Sequence, residues 1–129
     1  MKECAARAET ISEKLSRWSA ILFPPALAGV VGGELGPSAG EPHFWDKANH
    51  FVAYFVLSVL AVMIFRRSRR SLWAMLGLIL VGGALEIIQG LIGRDMSALD
   101  ELANGLGVLA GGMVAWGTAV LLVRLGSPD

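Results

Sequence analysis

Four apolar stretches separated by short polar segments run along this 129-residue chain. The third stretch has 21 residues. At the helical rise such a stretch spans ~31 Å, enough to cross the hydrocarbon core of a bilayer. We therefore predict an all-α integral membrane bundle of four transmembrane helices with short loops. The predicted helices comprise about residues 18–31, 49–65, 72–92 and 98–123.

The N-terminal part combines a polar lead with a short apolar helix. Apolar residues recur at helical spacing within residues 1–17, which predicts an amphipathic segment lying on the membrane surface. Pro24 and Pro25 should kink the helix that follows, because proline removes a backbone donor and clashes with the preceding turn.

A cleaved signal peptide is an alternative interpretation of this region. Residues 26–28 (Ala-Leu-Ala) resemble a cleavage site. The preceding polar stretch is long for the charged start of a signal peptide, however, and it contains Glu3, Glu9 and Glu13. We therefore expect the first helix to be retained.

Turn-forming and capping residues predict two helix boundaries. Residues 32–45 are rich in glycine and proline and predict an irregular loop. Ser97 and Asp100 have the spacing of a capping box, which predicts that the fourth helix begins there.

Basic residues divide unequally between the two sides of the predicted bundle. Nine of the eleven lie before the first helix, between the second and third, or after the fourth; the other two are Lys47 and Arg94. Because basic residues favour cytoplasmic loops, we predict that both termini are cytoplasmic. The predicted location is a bacterial cytoplasmic membrane, which the chain crosses several times.

Composition agrees with a membrane protein and excludes some other classes. The chain is 54% hydrophobic and 17% charged, with a mean hydropathy of +0.59, whereas soluble domains carry about a quarter charged residues. The net charge is zero, so no basic excess points to nucleic acid. Cys4 is the only cysteine, which excludes an intramolecular disulfide. We predict no cofactor.

Polar residues that are costly in a bilayer collect at the predicted outer ends of the helices. They begin the second helix, lie in the outer third of the third helix, occupy the loop after it, or begin the fourth helix. Asp95 belongs to the same loop. The candidate ligand-binding residues are Asp46, Lys47, His50, Glu86, Gln89, Arg94, Asp100 and Asn104.

Glu86 is the most informative of these residues. It lies six residues inside the end of its predicted helix, a depth of ~9 Å at the helical rise. A carboxylate there should turn inward, find a partner or take up a proton. Arg94 is the best-suited partner, since its planar fork can bridge a carboxylate and an anionic ligand. A purely structural polar network is the alternative.

Small residues recur at every fourth position of the fourth helix. Such a stripe lets another helix approach closely. We predict that it packs against the third helix, with a homodimer contact as the alternative use. The stripe consists of Ala103, Gly107, Gly111, Ala115 and Ala119.

Two motifs resemble signatures of the VanZ-like family. Residues 46–51 (DKANHF) are similar to its D-K-x-x-H-F opening. Residues 86–89 (EIIQ), Arg94 and the D-x-x-x-N-x-x-G-x-x-x-G pattern of residues 100–111 resemble its second signature. The resemblance covers about residues 46–112, without the proline that often precedes the glycine-arginine pair. The family is named after a protein associated with low-level teicoplanin resistance, which implies an envelope role and a glycopeptide-like ligand.

Three hypotheses of function follow. The favoured one is an outward-facing site that binds an envelope lipid headgroup or a glycopeptide-like amphiphile, with membrane lipids as partners. The second is an intramembrane enzyme acting on a lipid-linked substrate, with His50 as general base and Arg94 stabilising negative charge. We assign no metal, although a divalent ion held there would have an oxygen-rich site. The third is a small proton-coupled transporter that uses Glu86.

Overall fold

The chain forms a bundle of four helices. The computed structural model describes residues 2–36, 43–66, 68–94 and 96–126. Each helix is long and apolar enough to cross a membrane, and the described residues contain no strand. The predicted all-α architecture of four membrane-spanning helices is therefore confirmed, while the cytoplasmic placement of the termini stays a prediction. The helices are α1 (Lys2–Leu35), α2 (His43–Phe65), α3 (Arg69–Leu91) and α4 (Ala98–Gly126).

Helix α1 differs most from its predicted bounds. It is one unbroken helix of 34 residues that includes Pro24, Pro25 and residues 2–17 of the polar lead. At the helical rise it is ~51 Å long, against ~30 Å for a bilayer core. Both prolines are exposed, and membrane helices tolerate proline in their interior. The polar lead is therefore continuous with the first span, and its placement on the membrane surface stays a prediction. The predicted loop is wrong at both ends, because residues 32–35 belong to α1 and residues 43–45 belong to α2. Residues 37–42 of that loop, with Pro37 and Pro42, lie outside the described residues.

Helix α2 is the centre of the bundle. It packs most extensively against α4 and also contacts α1 and α3. The buried core comprises Tyr54, Leu57 and Ala61 of α2, together with Leu78 of α3 and Val108 of α4. Many large apolar side chains on the other helix faces are exposed in the isolated chain, as expected for a surface that faces lipid rather than water.

The small-residue stripe of α4 packs against α2. A Cβ added at Gly107 would lie 2.3 Å from the backbone oxygen of Phe51, and one added at Gly111 would lie 2.3 Å from that of Phe55. The prediction that the stripe packs against α3 is therefore wrong at these two glycines. The helices approach until backbone touches backbone, which only residues without a side chain permit.

Candidate functional site

The site is built where four helix ends meet. Successive helices alternate in direction, so the last turns of α1 and α3 lie beside the first turns of α2 and α4. The described ion pairs all lie at this end. All eight sequence-predicted residues are found here, joined by Glu34, Tyr54 and Glu101. We call the following residues the acidic cluster: Glu34, Asp46, Lys47, His50, Glu86, Asp100, Glu101 and Asn104.

His50 lies at the centre of the acidic cluster. Its Nδ1 is 3.1 Å from Asn104 Oδ1 and 3.4 Å from Glu34 Oε1. On the other side of the ring, Nε2 is 4.0 Å from Asp46 Oδ1, one helical turn earlier. The second oxygen of Glu34 accepts a long hydrogen bond, 3.5 Å, from the Tyr54 hydroxyl. One histidine therefore joins acidic groups of α1 and α2 to α4.

Asn104 sets the direction of this hydrogen-bond chain. Its Nδ2 donates to Glu101 Oε2 over 3.3 Å, which leaves Oδ1 to accept from His50 Nδ1. Gly82 of α3 makes room for the pair, since a Cβ there would lie 2.8 Å from Glu101 Oε2 and 3.0 Å from Asn104 Nδ2. The glycine therefore allows two polar side chains of α4 to lie against α3.

Lys47 and Asp100 form an ion pair between α2 and α4. The Nζ–Oδ1 distance is 3.1 Å, with the Lys47 side chain 32% and the Asp100 side chain 6% exposed. Asp46 is more open still, with 46% of its side chain exposed. His50, Glu86 and Asn104 are buried. The acidic cluster thus has a half-open rim of Asp46 and Lys47 above a buried floor.

One carboxylate oxygen of Glu86 accepts a hydrogen bond at the N-terminus of α4, and the other has no partner among the described residues. Its Oε2 accepts a 2.9 Å hydrogen bond from the backbone N–H of Ser97. In the predicted capping box Asp100 would accept that bond, but Asp100 pairs with Lys47 instead, so that part of the prediction is wrong. Glu86 Oε1 is buried and accepts no hydrogen bond from the described residues.

Arg94 and Gln89 secure the end of α1. Gly93, with φ 83°, ends α3 in a left-handed turn, in which the Arg94 N–H bonds the Gln89 carbonyl at 2.9 Å. The Arg94 guanidinium then donates to the carbonyls of Glu34 and Gly36. Gln89 Nε2 donates to the Glu34 carbonyl at 2.7 Å. Arg94 therefore does not form the expected bridge to Glu86. Its guanidinium lies instead at the C-terminal end of α1, where the helix dipole favours a positive charge.

Arg94→Met should loosen the outer end of α1. Loss of charge-assisted hydrogen bonds to carbonyls costs about 1.5–3 kcal/mol, and we expect faster amide exchange near Glu34 in hydrogen-exchange mass spectrometry. The matched control is Arg124→Met, since Arg124 is exposed in the last turn of α4. Equal exchange at the end of α1 in both variants would contradict the anchoring role.

Three residues of the site were not among the candidate ligand-binding residues predicted from the sequence. Glu34 is the only charged residue between Arg17 and Glu41, a signal that could have found it, but it was assigned to a loop. Tyr54 is the only tyrosine of the chain and lies one turn from His50. Glu101 adjoins Asp100, and its role depends on contact with Asn104. Asp95 lies outside the described residues.

Comparison with known proteins adds no relative. No family model matches the chain, and neither a curated protein nor a solved structure is significantly similar to it. The resemblance to the VanZ-like family therefore rests on the motif residues alone.

Proposed function

We propose that this multi-pass membrane protein binds the polar head of an envelope lipid, or of a glycopeptide-like amphiphile in the headgroup layer, in the acidic cluster. The observation that carries the proposal is the graded exposure of the site, with a half-open rim of Asp46 and Lys47 above buried His50, Glu86 and Asn104. The polar headgroups of a bilayer lie at the same depth as the ends of membrane-spanning helices.

The free hydrogen-bonding capacity of the cluster indicates the ligand chemistry. Glu86 Oε1 is a buried acceptor without a hydrogen bond from the described residues, and Glu34 Oε1 has only the 3.4 Å contact with His50 Nδ1. An unmet buried acceptor costs about 1–3 kcal/mol. The cations expected to meet phosphate are engaged, Lys47 with Asp100 and Arg94 with carbonyls. A headgroup rich in hydroxyl or ammonium donors therefore fits better than a bare anion.

The alternatives find less support. A transporter needs a polar path to the other face, but no Asp, Glu, Lys, Arg or His occurs in residues 51–65, 71–85 or 105–123. An enzyme is favoured by one observation, the anchoring of His50 through Nδ1 with Nε2 turned toward the rim. A link to teicoplanin resistance belongs to the proposal through the motif resemblance only.

Native mass spectrometry of the detergent-purified protein tests headgroup binding. We expect wild type to retain a specific amphiphile and Glu86→Gln, which keeps the shape but removes the charge, to lose most of it. Glu13→Gln is the control, because Glu13 is an exposed acid of α1 distant in sequence from the cluster. Identical lipid profiles in all three proteins would refute the proposal. A bound species found cleaved in wild type but intact in His50→Gln would favour the enzyme.

A further inference from the structure

We propose that Asp46, His50 and Asp100 bind a first-row divalent cation, Mn²⁺ or Zn²⁺. Each residue offers one ligand atom, and these atoms lie within 4.8 Å of one another. For three atoms so spaced, a single point can lie within about 2.8 Å of all of them, roughly 0.7 Å beyond a Zn–ligand bond. Side-chain shifts of less than ~1 Å would therefore complete the coordination.

The tautomer of His50 suits a metal ligand. Because Asn104 donates through Nδ2 to Glu101, its Oδ1 accepts the proton of His50 Nδ1. Nε2 then faces the Asp46 carboxylate at 4.0 Å, and either a proton on Nε2 or a cation between the two atoms makes that arrangement favourable. Metal-binding histidines are oriented in this way, with the other ring nitrogen donating to a fixed acceptor.

The charge balance of the cluster also calls for a cation. Five carboxylates, those of Glu34, Asp46, Glu86, Asp100 and Glu101, face two fixed cations, Lys47 and Arg94, and a third positive charge when His50 is protonated, so the carboxylates are in excess in either state. Uncompensated charge is costly at a membrane helix end. Either protons on these groups or a bound cation must reduce the excess negative charge, and a metal titration distinguishes the two.

An independent observation is the unused oxygen of Glu86. Glu86 is only 4% exposed, and its Oε1 has no hydrogen-bond partner among the described residues. A buried carboxylate oxygen accepts a hydrogen bond unless something else compensates it. A water molecule ordered by a cation in the same cluster would supply such a hydrogen bond.

The donor set selects the kind of ion. Imidazole nitrogen suits zinc and other first-row metals, while carboxylate oxygen suits manganese, magnesium and calcium. One imidazole with carboxylates therefore favours Mn²⁺ or Zn²⁺ over an all-oxygen ion such as Ca²⁺. The inference rests on the same cluster as the proposed function, since the cation would lie at the rim that faces the headgroup, where headgroup hydroxyls could coordinate it.

The Lys47 ammonium would compete with the divalent cation for Asp100. Its ammonium is 3.1 Å from Asp100 Oδ1, the side chain that the cation needs, and its flexible stem reaches from the half-exposed rim. Binding of the cation must displace the ammonium toward water. Removing Lys47 should therefore strengthen cation binding, whereas most damage to a site weakens it.

Electron paramagnetic resonance of Mn²⁺ titrated into the detergent-purified full chain tests the site without added lipid. We expect wild type to remove one Mn²⁺ per chain from the free signal, and Zn²⁺ to displace it. Asp100→Asn and His50→Gln should weaken binding by at least about 100-fold, the upper range for losing even an outer-shell partner. Lys47→Met should tighten it about tenfold, or ~1.4 kcal/mol. Glu13→Gln should bind like wild type.

The direction of the Lys47→Met effect keeps the test decisive, because misfolding cannot increase affinity. Absence of saturable Mn²⁺ and Zn²⁺ binding in both wild type and Lys47→Met would overturn the inference and assign the charge compensation to protons. Retention of an amphiphile in native mass spectrometry would then still stand on its own. Tight Mn²⁺ binding unchanged by Asp100→Asn and His50→Gln would overturn it equally, by placing the metal elsewhere.

Discussion

Gly111→Ala should lower the free energy of unfolding by about 3 kcal/mol, at the upper end of the cost of overpacking. The added Cβ would lie 2.3 Å from the backbone oxygen of Phe55 and 3.1 Å from Ser58 Cβ. A backbone oxygen inside a central helix cannot rotate away, so α2 and α4 would have to separate. Thermal or denaturant unfolding in detergent measures the loss, with monodispersity as a second readout.

Gly117→Ala is the matched control on the same helix. Nothing lies within 4 Å of a Cβ placed at Gly117, so only the intrinsic preference of alanine over glycine remains. That preference should stabilise the helix by up to about 1 kcal/mol. The two substitutions should therefore have opposite signs. Equal effects would mean that α2 and α4 do not touch through their backbones.

Asn104→Leu should be the most damaging conservative change in the acidic cluster. Asn104 is fully buried, with 0% exposure, and it joins His50 to Glu101. Leucine has a similar size but no polar atom, so buried His50 and half-buried Glu101 each lose a partner. The loss costs about 1–3 kcal/mol at the buried group and less at the half-buried one. We expect the unfolding free energy to fall by roughly 2–4 kcal/mol.

A double-mutant cycle isolates the polar contribution. Combining Asn104→Leu with Glu101→Gln should show a coupling energy of about 0.5–3 kcal/mol, as for residues in one network. Thr118→Val is the control, because the exposed Thr118 hydroxyl bonds only to the Val114 carbonyl of its own helix, and its effect should stay within ~0.5 kcal/mol. Additive effects at Asn104 and Glu101 would show that the two side chains act independently.

Most residues of the candidate site could be predicted from the sequence because the antiparallel order of the helices determines which helix ends lie together. Once four spans are assigned, the start of α2, the end of α3 and the start of α4 must lie at one end of the bundle. The polar residues there, such as His50 and Glu86, had to turn inward, since lipid offers them no partner. Glu34 escaped because glycine and proline near it favour a loop, whereas membrane helices tolerate glycine that water-exposed helices do not.

Pairings between helices were less predictable. The capping-box spacing correctly placed the start of α4 near Ser97, yet the acceptor for its N–H is Glu86 of α3. Arg94 was expected to meet a carboxylate, but the left-handed turn at Gly93 directs it to the end of α1. Each error has the same origin, because spacing along one helix does not say which neighbour faces it.

The sequence by itself determined that the chain crosses a membrane in four helices and that its polar residues gather at one end. Hydrophobic length and the cost of burying charge in lipid are properties of single segments, so they can be read along the chain. Only the tertiary structure decided that the α4 stripe packs on α2, that Glu34 joins His50, and that Lys47 pairs with Asp100. These contacts depend on the rotation and separation of helices, which are set by packing between surfaces that are remote in sequence.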